Sequence, residues 1–328
     1  MNANFTRSIL QNTGARSFEI EEVLQELWSG YGQIVRLRLL GGSFDTVVAK
    51  HIALPDETQH PRGWNTDRSH RRKVRSYEVE TRWYRDYNQN CDDYCPTPRL
   101  LGYEKEERET LLLLEDLDAK GYPKRLSSLS QDEVLSCLRW LASFHATFLQ
   151  EGEAGIDGLW EEGTYWHLAT RPDELAALED EALKKAAPLI SETLRQARFQ
   201  TLVHGDAKVA NFCFSDKGSS VAALDFQYVG GGCGVKDVAY FLGSCLDEVE
   251  MASQEEVLLE YYFTSLRAEL VRRGCILDYA RIESEWRELF FYAWADFHRF
   301  LQGWSPTHWK LNSYGDRLVQ RVVGSLHF

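Results

Sequence analysis

One stretch constrains this chain more than any other. Thr201–Phe226, TLVHGDAKVANFCFSDKGSSVAALDF, lies between long amphipathic segments yet has no helical spacing of its own. Its two β-like runs, at Thr201–Val203 and Val221–Leu224, hold polar loops between and after them. A non-helical island in a helical region is where loop-borne chemistry tends to sit. The surrounding pattern agrees. Ser130 followed by Glu133 predicts a capping box, and Val134, Leu138, Leu141, Phe144 and Phe148 then recur at three- and four-residue steps. Further helices are expected over 174–199, 254–273 and 283–304.

The layout changes once, near Leu117. Before it, short β-rich runs alternate with turns. Gln33–Leu40 and Thr46–Ile52, joined through Gly41-Gly42, read as a hairpin, and Leu111–Leu114 as a short buried strand. From Arg75, RSYEVETRWYRDY reads as a helix. Phe18–Trp28 has helical spacing but could equally lead into a first strand. The 328 residues thus divide into a small sheet lobe, 1–117, and a larger helical lobe, 118–328.

Phosphoryl transfer to a hydroxyl needs a carboxylate to orient or deprotonate the nucleophile, and oxygen ligands for Mg²⁺. His204-Gly205-Asp206 with Asn211 five residues on reproduces the H-x-D-x-x-x-x-N spacing of kinase catalytic loops. Asp206 would be the base, Asn211 a metal ligand, and Asp225, in Asp225-Phe226-Gln227, the second metal ligand. Lys208 is either a cation steadying the transferred group or a surface lysine. An ATP site also needs a strand lysine and a helix glutamate. Lys50, in VVAK, and Glu80 fit, with Glu78 as a rival. Gly30 and Gly32, in SGYG, are candidates for a phosphate-covering loop. Glu115 to Leu117, after LLL, are candidates for a hinge meeting adenine, their carboxylates free to cap the helical lobe.

These motifs resemble the aminoglycoside phosphotransferase and choline kinase superfamily, and most of all its ecdysteroid-kinase-like branch. The matching pieces are VVAK, SYEVETRWY, LLLEDL, VHGDAKVANFCF and ALDFQYVGGGCGVKDVAYFL, from about Ser29 to Leu242. The resemblance implies an α+β, bilobal protein-kinase-like fold with a small antiparallel-sheet N-lobe and a mainly helical C-lobe. It further implies ATP-dependent phosphorylation of a small-molecule hydroxyl, and a structural role for Asp237 beneath the catalytic loop. Ala207-Lys208 stands where relatives often have Leu-Trp, which leaves the acceptor open. A nucleotide-binding pseudokinase and a protein kinase are the alternatives, the latter opposed by Gln227 and the lack of an A-P-E signature.

Composition narrows the partners. A net charge of −13 disfavours nucleic acid and anionic membranes. No apolar run approaches a membrane span, and no signal-peptide pattern is present, so a cytosolic protein is expected. Seven scattered cysteines read as reduced, and Cys91 and Cys95 lack a second ligand pair for zinc. Aromatics crowd 290–309, as either acceptor wall or core, and Trp160, Trp166 and His167 form a smaller cluster with the same two readings. Asp296 and His298 are further pocket candidates. The basic run Arg68–Arg75 is either a guide for anions or a solvated helix start.

Overall fold

The computed structural model describes residues 2–54, 67–153 and 155–326. Helix α1 (Ala3–Thr13) opens on Asn2, whose side chain accepts the Phe5 N–H at 2.9 Å, and closes on left-handed Gly14. Five strands follow: β1 (Ser17–Glu26), β2 (Gly32–Leu40), β3 (Thr46–Ala53), β4 (Leu100–Glu106) and β5 (Glu109–Glu115). They form one antiparallel sheet in the order β1-β2-β3-β5-β4. Between β3 and β4 lie α2 (Asp67–Arg82) and a π turn at Trp83–Tyr87.

The pleat decides which face does what. Val47 and Ala49 of β3 pack with Phe5 and Ile9 of α1 and with Leu111 and Leu113 of β5. Val48 and Lys50, one residue out of phase, turn to the opposite face. Phe18–Trp28, left open between helix and strand lead-in, is almost wholly strand. Its Ile20, Val23 and Leu24 are exposed on the sheet edge, so their apolar spacing marks no buried helical stripe.

The second lobe is mainly helical. The capping box at Ser130 and Glu133 opens α3 (Gln131–Phe148). The single helix expected over 174–199 is two, α4 (Pro172–Ala177) and α5 (Glu181–Arg195), because Asp180 caps a fresh helix start through the N–H groups of Ala182 and Leu183. Beyond the island come α6 (Val235–Cys245), α7 (Glu248–Arg272), α8 (Tyr279–Trp304) and α9 (Ser313–Ser325). The main core fills the space among these helices and reaches Trp83 and Leu112 of the sheet lobe. Among the described residues, no helix is long and apolar enough to cross a membrane.

The island takes part in two small sheets: β7 (Phe199–Val203) pairs with β6 (Gln150–Glu151) and β10 (Gly230–Gly232) from outside it, and β8 (Phe212–Phe214) pairs with β9 (Val221–Ala223). Every residue of β7 is buried, which delivers His204 and Asp206 rigidly to the lobe junction.

Candidate active site

A cleft of about 480 Å³ separates the five-stranded sheet from the island, with Ile34, Val48 and Leu114 on one side and Ala210 and Leu224 on the other. Lys50 enters it from the middle of β3, paired in register with Ile34 and Leu112. Its Nζ lies 2.8 and 2.7 Å from the two carboxyl oxygens of Glu80 on α2. Glu80 is buried, whereas Glu78 is exposed and faces Arg75, so the rivalry resolves for Glu80. Burial raises the Glu80 carboxyl above its ordinary value, with Lys50 opposing.

On the other wall, the turn after β7 is tight. Gly205 has φ of +79°, and a Cβ there would lie 2.1 Å from the Tyr228 carbonyl oxygen. Asp237 of α6 holds this turn from below: its carboxylate accepts the N–H groups of His204 (2.5 Å) and Gly205 (2.9 Å) and faces His145 Nε2 at 3.1 Å. The supporting position expected of Asp237 is therefore observed. His204 in turn reaches the Leu224 carbonyl oxygen at 3.0 Å, tying the turn to the strand end before Asp225.

Asp206 is buried and crowded with donors. Lys208 Nζ (2.9 Å) and Asn211 Nδ2 (3.1 Å) reach its Oδ2, and the Tyr240 hydroxyl donates to Oδ1 at 3.1 Å. Burial, with help from the Asp225 charge, outweighs Lys208 and lifts the Asp206 carboxyl above its ordinary value. Asn211 Nδ2 also donates to the Asp206 backbone oxygen at 2.7 Å, which leaves its amide oxygen for other company. Asp225 has φ of +68°, a backbone region a non-glycine residue rarely adopts. Burial would raise its carboxyl, but Lys50, Lys73 and Lys208 around it win and hold it below the ordinary value. Lys50 Nζ stands 3.9 Å from Asp225 Oδ1, so the two walls meet here. Phe226 stacks on Trp83 at 4.5 Å and fixes the peptide that presents Asp225.

One sequence expectation is corrected. Gly30 and Gly32 do not line the cleft; β1 and β2 themselves do, through Leu24, Gln25, Ile34 and Arg36. Gly32 is required for a different reason, since a Cβ would lie 2.0 Å from the His51 carbonyl oxygen of β3. Glu115 and Leu117 line the cleft, and the two carboxylates also reach the start of the helical lobe, where Asp116 Oδ1 accepts the Asp118 N–H at 3.0 Å and Glu115 faces Lys120 at 3.5 Å. Glu115 binds Arg99 at 2.8 Å, and Asp116 binds Arg36 (2.9 Å) and Thr46 (2.8 Å), which ties both to the sheet.

Three contributors had little sequence signature. Gln227 Nε2 donates to Asp225 Oδ1 at 2.5 Å, while its Oε1 accepts Lys73 Nζ at 2.6 Å. Lys73 was visible only within a basic run, and Tyr240 only as an aromatic in VAYF. Asp296 and His298 are buried, Asp296 against Arg299 and Trp166, so neither opens onto the cleft. Phe290 and Trp294 are core, whereas Phe297 and Phe300 join Trp166 and Tyr240 in a cluster beside Asp206.

A five-stranded antiparallel sheet over a helical lobe, with a buried lysine–glutamate pair facing an H-G-D loop, is a kinase-like fold. The chain belongs to the phosphotransferase enzyme family, whose description matches residues 25–283. It is a phosphotransferase. No curated protein matches it. Among solved structures it is similar to a microcompartment-associated aminopropanol kinase, at 14% identity and a TM-score of 0.52 over 98% of this chain and 95% of that one. An aminoglycoside phosphotransferase in ternary complex with ADP and hygromycin B matches at 13% identity and a TM-score of 0.47, covering 99% and 100% of the two chains. A Streptomyces rimosus aminoglycoside phosphotransferase in complex with ADP and streptomycin matches at 13% identity and 0.45, covering 88% and 97%. The first of these likenesses shows the fold.

Proposed function

We propose that this phosphotransferase moves the γ-phosphoryl group of ATP to a hydroxyl of a small molecule. What carries the reading is the meeting of Lys50–Glu80, Asp225, Asn211 and Asp206 across one cleft. Residues 1–117 form the nucleotide lobe and 118–328 the acceptor lobe. Lys50, steadied by Glu80, binds the α- and β-phosphates, and the backbone from Glu115 to Leu117 meets the adenine.

The donor set suits Mg²⁺, because Asn211 offers an amide oxygen and Asp225 a carboxylate held ionised by lysines. Held there by Asn211 and Asp225, a magnesium ion would supply charge that neutralises the phosphates. Asp206 orients the acceptor hydroxyl and takes its proton as the O–P bond forms. Lys208, held on Asp206 and 41% exposed, reaches toward the transferred group and stabilises its charge.

The motifs resemble the ecdysteroid-kinase-like branch, and a cytosolic setting suits an ATP consumer with seven free cysteines. The test is ADP release across a library of hydroxyl compounds, with Asp206→Asn beside the native enzyme. Turnover on one or more acceptors, falling at least a hundredfold in the variant, is expected. Turnover undiminished by the substitution overturns the mechanism, and nucleotide binding without turnover on any acceptor favours a regulatory module.

A further inference from the structure

The acceptor side of Asp206 is not acidic, despite the net charge of −13. Tyr240 leads away from the Asp206 carboxylate, and its hydroxyl lies 3.4 Å from that of Tyr165. Over the Tyr240 ring stands Lys310, from the loop between α8 and α9. Its Nζ lies 5.6 Å from the Tyr240 centroid, 5.5 Å from Trp309 and 5.9 Å from Phe297. Three ring faces therefore surround one ammonium, a single tyrosine away from the proposed base.

The carboxylates in this region are already committed. Asp206 is paired with Lys208 at 2.9 Å, Glu174 with Arg171 at 3.1 Å, and Asp316 with His298 at 3.2 Å. Among the described residues, Lys310 Nζ has no hydrogen-bond or ion-pair partner, although it is half-buried. Burial lowers its pKa to about 8, which still leaves it mostly charged at neutral pH. Ring faces stabilise a cation weakly compared with an anion at hydrogen-bond distance. Ammonium groups in such positions cost desolvation that a ligand anion would offset. Trp309 is 63% exposed, so the cage opens to solvent on one side.

We infer that Lys310 receives a carboxylate or phosphate group of the acceptor, whose body passes the exposed Trp309 while its hydroxyl meets Asp206. The inference rests on the phosphotransfer reading above and deepens it by naming the acceptor as an anionic hydroxyl compound. A cationic acceptor, such as an amino alcohol, would meet Lys310 and Lys208 with its own charge and be repelled.

The experiment uses para-hydroxymethyl benzoate, its amide, and para-hydroxymethyl benzylamine, which share one hydroxyl and one ring. Binding is read with the full chain by quenching of tryptophan emission, and phosphorylation by ADP release. A second arm replaces the carboxylate with para-hydroxymethyl phenylphosphate, which distinguishes a phosphate from a carboxylate site. One charge-assisted contact predicts about tenfold tighter binding of an anionic probe than of the amide, and weakest binding of the amine. Lys310→Met brings the anion to the level of the amide, and Lys310→Arg keeps the preference. Melting of each variant is measured alongside. The inference is overturned if no anionic probe binds the native enzyme better than the amide, if the amine binds best, or if Lys310→Met keeps the preference. Anion preference without ADP release on any acceptor would instead count against the phosphotransfer reading and leave Lys310 as an anion site.

Discussion

Asp237 offers the sharpest test of how the fold holds its chemistry. Its carboxylate is fully buried and receives three contacts: His204 N–H and His145 Nε2 at Oδ2, and Gly205 N–H at Oδ1. Asp237→Asn keeps the shape but places an NH₂ where one oxygen stood. With the amide oxygen retained toward His204, the Gly205 N–H faces another donor. One charge-assisted bond is lost, and one buried donor is left unsatisfied, for about 3 kcal/mol in all. For a chain of this size that corresponds to a fall of roughly 4 °C in melting temperature, taken as the apparent midpoint. Gly205 precedes Asp206, so turnover should fall at least tenfold once an acceptor is known, while the KM for ATP changes little because Lys50–Glu80 lies on the other wall. Differential scanning calorimetry and ADP release provide the two readouts. A variant melting within about 1 °C of native with undiminished kcat would refute the claim that Asp237 supports the loop.

Two further perturbations bear on buried charge. Lys50→Met strands the Glu80 carboxylate, 2% exposed, and should cost about 3 kcal/mol; adding Glu80→Gln should recover most of the melting temperature but no activity, and a double variant no more stable than the single would sink the pairing argument. His167 is buried with neither ring nitrogen hydrogen-bonded among the described residues, and burial lowers its pKa to about 4. The unfolded chain therefore binds a proton between pH 6.5 and 4 that the folded chain refuses, so stability present above pH 6.5 is lost as pH falls through this window. His167→Gln should flatten that slope in urea titrations, and an unchanged slope would assign it to other groups.

The order of elements was readable where local rules and packing agree. The Ser130–Glu133 box and the glycine turn between β2 and β3 are cases where a few neighbouring residues decide the outcome. The catalytic-loop spacing was readable for the same reason, since Asp206 and Asn211 contact each other across five residues. Long-range choices were not legible. Strand β4 carries little apolar alternation and exists because β5 pairs with it. Helix α1 is amphipathic but short, and it forms against the sheet rather than by its own propensity. Gly30 and Gly32 misled because a glycine beside a strand can serve a close backbone approach as readily as a phosphate. Tyr240 and Lys310 reach the site from α6 and the α8–α9 loop, a convergence that no local pattern encodes.

The strand order carries a consequence for synthesis. Because β5 inserts between β3 and β4, the pocket that receives Phe5 and Ile9 lacks Leu111 and Leu113 until those residues have left the ribosome. Val35, Leu37, Val47 and Ala49 of the β2–β3 hairpin can cover part of the α1 face early, and Leu111 and Leu113 complete the cover only after the intervening chain has been made. During that interval the nascent chain carries an incompletely covered Phe-Ile stripe, which is the kind of surface that chaperones hold.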